Sequence, residues 1–136
     1  MSNVSAHHNI AMLHEVDPKE KLLAEIGDLS KFEVFNTGVL LAVYVRPEKT
    51  KSGFYLTDKT REEDRYQSKV GLVVRKGPSA FVESDGKWFD GLNIDVGDWL
   101  VFRPSDGWNI TVHGVLCRMC DDASFKMRIS HPDEVY

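Results

Sequence analysis

The chain has 136 residues, of which 42% are hydrophobic and 28% charged, and a formal charge of −4. That length and apolar content support one compact domain with its own core and exclude a largely disordered chain. Charges of both signs are interspersed, without the basic face that nucleic acid or an anionic membrane requires, so neither partner is expected. No apolar run reaches the ~20 residues of a membrane-spanning helix, and no basic-then-apolar leader opens the sequence. Two cysteines suit a reducing compartment, and the expected location is the cytoplasm.

Residues 1–16 show no period and read as an arm. Asp17 then caps a helix, Pro18 suits its first position, and Glu20 completes an Asp-x-x-Glu capping box. Leu22, Leu23, Ile26 and Leu29 fall on one side, and Gly27 ends or frays the last turn. The arm and helix make a first unit, 1–35, and residues 36–136 make a β domain. Val39 to Val45 is an unbroken apolar, β-branched run, as expected of a strand covered on both faces. Val70 to Lys76 is the next strand, stopped by Gly77-Pro78. Phe81-Val82 and Trp88-Phe89 flank Asp85-Gly86, a tight-turn pair, which predicts a hairpin over 79–91. Trp99 to Phe102, Trp108 to Val112, Val115 to Met119 and Phe125 to Ile129 complete the strands, and 131–136 is a closing loop. Many short strands with frequent turns predict an all-β sandwich or partly closed barrel.

Between the first two strands lies an interval, 47–69, that is highly charged except for Phe54-Tyr55-Leu56 after Gly53. A compact β domain rarely keeps so long a loop without a function for it. Its charge would keep it solvated, and the triplet could seat in a partner's groove at roughly 1.5–3 kcal/mol per side chain before ordering costs. The plainer reading is a long hairpin packed on its own domain. Several loops arranged in a ring would gain further by effective concentration.

The order of these features resembles the GroES-type co-chaperonins. Thr50-Lys51-Ser52-Gly53-Phe54-Tyr55-Leu56-Thr57 is similar to the family's mobile loop, and Val70-Gly71-Leu72-Val73-Val74 to its return strand. Phe81 to Phe89 sits where the roof hairpin belongs, and Val96-Gly97-Asp98-Trp99-Leu100-Val101-Phe102 resembles the glycine-aspartate strand. The resemblance covers residues 38–130. It implies a GroES-like partly closed β-barrel that self-associates into a ring, a heptamer, and caps a GroEL-type chaperonin of the host. Gly53, Phe54, Tyr55 and Leu56 would bind the chaperonin, and Phe81, Asp85, Gly86 and Trp88 would form the roof. No enzyme activity and no cofactor are implied.

The departures are one loop glycine instead of two, aromatic residues at 54 and 55, no Pro-x-x-Asp-Arg entry before Val39, and an N-terminal extension. They look most like the divergent members carried by bacterial viruses. The alternative function is therefore a virion structural protein on the same fold, in contact with capsid proteins, and the alternative location is the virion.

Other chemistry is not expected. Cys117-Arg118-Met119-Cys120 puts its sulfurs on opposite faces of a strand and lacks a second pair, although His113 shares a face with Cys117. His7, His8 and His14 read as solvated arm residues, and Glu62-Glu63 and Asp121-Asp122 as solvated acidic pairs. Trp88, Trp99 and Trp108 read as core or interface aromatics, and no nucleophile or phosphate-loop motif is present. The expected catalytic and metal sites are none.

Overall fold

A computed structural model describes residues 14–46, 57, 68–82, 89 and 91–135. Its elements are α1 (Pro18–Ile26), β1 (Gly38–Val43), β2 (Val70–Lys76), β3 (Trp99–Val101), β4 (Trp108–Val112), β5 (Val115–Asp121) and β6 (Met127–Ile129). The six strands form one antiparallel sheet in the order β4-β5-β1-β2-β3-β6. Among the described residues the sheet does not close: β4 and β6 stand at opposite edges. Mostly-β architecture is as expected; the barrel closure implied by the resemblance is not part of this sheet.

β1 and β2 occupy the centre, which explains the unbroken apolar run of β1. Successive side chains point to opposite faces, and here both faces are covered. Leu40, Ala42 and Tyr44 join Val70, Leu72, Trp99, Val112 and Cys117 in one core cluster. Val39, Leu41 and Val43 join Val73, Phe81, Leu100, Phe102, Cys120 and Phe125 in the other. A register shift between Leu40 and Leu41, where β2 carries an extra residue, lets the pair bend. Gly97 N–H donates to Val73 O at 2.9 Å and Val73 N–H to Asp98 O at 2.9 Å, so the glycine-aspartate turn before β3 is tied to β2.

The helix belongs to this chain's own core. The Asp17 carboxylate accepts from Glu20 N–H at 3.2 Å, Pro18 stands in the first turn, and Gly27 N–H closes the end on Leu23 O at 3.1 Å. Ile26 and Leu29 are buried against the first cluster and Leu22 packs beside them, but Leu23 is exposed. Within the helix the stripe toward the core is Leu22 and Ile26, and Leu29 joins the same cluster beyond the Gly27 cap. Ser124 ends a short 3-10 turn after β5, and Phe125 precedes β6, which is therefore shorter than the run Phe125 to Ile129.

Candidate functional site

The segment 47–67 leaves the sheet between its two central, directly paired strands. The last paired residues are Val43 and Gly71, and beyond them Tyr44 N–H donates to Val70 O at 3.0 Å. Ser68 then closes the root. Its buried hydroxyl lies 2.8 Å from Tyr44 O and 3.3 Å from Val70 O, so it bridges the outgoing and returning chain. Phe102 N–H donates to Lys69 O at 2.8 Å and fixes the returning chain to the strand on its other side. Both ends of the excursion are thus held side by side by backbone and one hydroxyl. Gly53, Phe54, Tyr55 and Leu56, the expected anchors, lie outside the described residues, while Thr57 is exposed.

The second expected site is the roof. Asp85, Gly86 and Trp88 lie outside the described residues, but Phe81 is placed. It is not part of a strand flanking a hairpin: it sits in a turn with φ of +59°, buried. A bulky residue pays about 1–2 kcal/mol for that backbone, so neighbouring contacts must hold it. They are visible. Phe81 N–H donates to Asp122 Oδ2 at 3.0 Å, and its ring meets Phe89 edge-on at 5.6 Å and Phe125 at 6.0 Å. Asp122 is only 5% exposed, which corrects its reading as a solvated acid. Its neighbour Asp121 accepts from the Thr37 hydroxyl. Neither Ser68 nor Asp122 carries a spacing signal that would have marked it; each acts on residues distant in sequence.

The cysteines behave as the strand geometry requires. Cys117 and Cys120 lie in opposite core clusters, and burial pushes both thiols up to about 11. At pH 8 only about one thiol in a thousand would then be ionised. Neither cysteine is expected to react with a disulfide reagent at pH 8 in the folded protein, and both should react once it is unfolded; a fast native phase would contradict this packing. His113 is occupied elsewhere: Nδ1 lies 2.6 Å from Ile26 O, and its ring is edge-on to Phe32 at 5.1 Å. Trp99 is core, as read, whereas Trp108 is 63% exposed on an edge strand. His14 is a further correction. It is mostly buried beside Tyr44 and Asp133, not solvated in a loose arm.

An antiparallel sheet with a long excursion rooted between its central strands defines a small β scaffold organised around one loop. The family model of the chaperonin 10 Kd subunit matches residues 31–124, more than two thirds of the chain. The chain belongs to that family. The match takes in the rooted segment 47–67, the turn at Phe81 and Asp122 beneath it. Members of the family are in general non-enzymatic and work as ring oligomers with a chaperonin partner. No curated protein matches the sequence.

Proposed function

We propose that this chain is a co-chaperonin that binds a GroEL-type chaperonin ring through the segment 47–67 and caps its folding chamber as a seven-membered ring. The observation that carries this reading is the rooted excursion. A long charged segment with one apolar triplet starts and ends at adjacent backbone positions, clamped by Ser68 and the Tyr44–Val70 bond. A fixed root keeps the ordering cost of binding within the segment itself, since the sheet beneath is already packed. Phe54, Tyr55 and Leu56 are the groove-filling anchors, and the aromatic pair at 54 and 55 calls for a roomier groove than aliphatic residues would. The turn at Phe81 and its partner Phe89 contribute to the roof.

Ring assembly draws support from the two edges that are open among the described residues. β4 presents Trp108 at 63% exposure and Ile110 at 40%, and β6 presents the exposed Met127. Open, apolar edges are a liability in an isolated domain. They lie at opposite ends of the sheet, so contact between β4 of one copy and β6 of the next is head-to-tail, and such contacts form a ring when the rotation between copies closes. An Ile110→Asp variant is therefore expected to sediment as a monomer with an unchanged far-UV spectrum. Retention of the wild-type assembly by that variant would move the interface elsewhere.

The test of the function is capture of the purified protein by a chaperonin ring with and without nucleotide. Nucleotide-dependent capture supports the lid role. Absence of capture under either condition would overturn it and direct the search to assembled virus particles, where the alternative structural role would be found.

A further inference from the structure

The two ends of the described chain meet at one point on the sheet. His14 Nε2 lies 3.0 Å from Asp133 Oδ2, across 119 residues of sequence. His131 Nδ1 lies 3.9 Å from the same oxygen, and the rings of His14 and His131 are 5.6 Å apart. One ligand atom from each of His14, His131 and Asp133 falls within 4.8 Å of the other two. Beneath them the Tyr44 hydroxyl donates to Asp133 Oδ1 and stands 3.2 Å from His14 Nε2.

We propose that His14, His131 and Asp133 form a binding site for a divalent transition metal ion, Zn²⁺ first among them, that clasps the N- and C-terminal segments together. Metal bonds of about 2.0 Å in tetrahedral array place neighbouring ligand atoms about 3.3 Å apart. The two separations from Asp133 Oδ2, 3.0 and 3.9 Å, bracket that edge and the third pair lies within 4.8 Å, so closure onto an ion needs side-chain shifts of about 1–1.5 Å. Two imidazoles and one carboxylate select a borderline ion over Ca²⁺ or Mg²⁺, which prefer all-oxygen shells. A water completes the fourth position.

The surroundings fit the role. Tyr44 occupies Oδ1 of the carboxylate and leaves Oδ2 turned toward the two histidines, the kind of outer hydrogen bond that orients a metal ligand. Buried Pro132 anchors the turn that carries Asp133. His131, the most exposed of the three at 40%, is the ligand that adjusts. Its Nδ1 now accepts from Asp133 N–H at 3.1 Å, and rotation of the ring exchanges that bond for the ion. His14, His131 and Asp133 all lie outside the stretch that matches the family model, 31–124. The site is therefore a property of this chain's own ends, independent of the proposed lid function. Through Tyr44 it touches the strand end from which the segment 47–67 departs.

The test uses the full chain, stripped with a chelator and titrated with Zn²⁺ against a chromophoric competitor. The expected result is one ion per chain at about micromolar affinity or tighter, with Co²⁺ giving the intense visible absorption of a four-coordinate site. His131→Ala removes an exposed side chain that the core does not need, and should weaken binding at least about 100-fold and abolish the Co²⁺ signature. His14→Ala and Asp133→Asn should do the same, and Tyr44→Phe should weaken binding about 10-fold. A His7→Ala, His8→Ala double variant should bind as the wild type does. Absence of saturable binding, or binding that survives His131→Ala but is lost with His7 and His8, overturns the proposal. Far-UV spectra of each stripped variant separate lost ligands from lost fold.

Discussion

A Leu56→Asp variant is expected to lose nucleotide-dependent capture by the chaperonin while retaining the fold and assembly of the wild type. Removing the leucine forfeits roughly 1.5–3 kcal/mol of apolar burial per loop, and seating a carboxylate in an apolar groove adds a desolvation cost of at least similar size. One loop would weaken at least about 100-fold on those figures. In a ring the penalty recurs in every copy, and avidity that multiplies weak contacts also multiplies their loss. Capture should therefore fall below detection. The sheet should not notice, because its central strands are already paired and packed up to the root at Tyr44 and Ser68. A Glu62→Gln variant, changed within the same charged interval, should be captured normally. Wild-type capture by Leu56→Asp would place the anchors elsewhere in the segment and end the docking assignment.

A large stability effect is expected at Gly77. A β-carbon there would stand 2.3 Å from Asn36 O and 2.7 Å from Phe35 O, both backbone atoms that cannot swing aside. Gly77 N–H also donates to Gly38 O at 2.8 Å, and Ser79 N–H to Asn36 O at 3.0 Å, so the turn after β2 is stitched to the entry of β1. Gly77→Ala must push these segments apart and break that stitching, at about 3 kcal/mol or more and a fall in Tm of roughly 10 °C. Gly114→Ala is the control. Gly114 has φ of +79° but nothing within 4 Å of a new β-carbon, so only backbone strain of about 1 kcal/mol should appear. Thermal melts of the two variants decide the matter, and equal losses would contradict the close approach at Gly77.

The sequence made some of this architecture legible and hid other parts for identifiable reasons. Signals that live within a few residues survived. The Asp17-Pro18-Glu20 start of α1 and the Val70–Lys76 strand emerged where expected, and the unbroken run in β1 announced two covered faces. Signals that depend on distant partners did not survive. Nothing near Asp122 reveals that Phe81 N–H, 41 residues earlier, needs its carboxylate. Nothing in the arm reveals that His14 will meet Asp133. Leu23 matched the apolar stripe of α1 but faces water, because the helix packs on the core along Leu22 and Ile26. Phe81 looked like a strand residue by its chemistry, and only its contacts hold it in a left-handed turn. The glycine-aspartate motif was recognisable, and the structure gives its physical content as a turn bonded to Val73.

The strand order carries a consequence for how the chain is made. β1, near the beginning, is sandwiched between β2 and β5, and its register with β5 pairs Gly38 with Asp121 and Ala42 with Cys117. β3 likewise waits for β6, with Trp99 opposite Ile129. During translation the ribosome therefore releases β1, β2 and β3 long before either flank of that meander can be covered. For that interval the apolar strand Val39 to Val43 has an open hydrogen-bonding edge, the arrangement most prone to pairing with another nascent chain. The sheet is completed only by β5 and β6, so the pairings of Gly38 with Asp121 and of Trp99 with Ile129 wait for the far end of the sheet's sequence, and such non-local pairings form slowly.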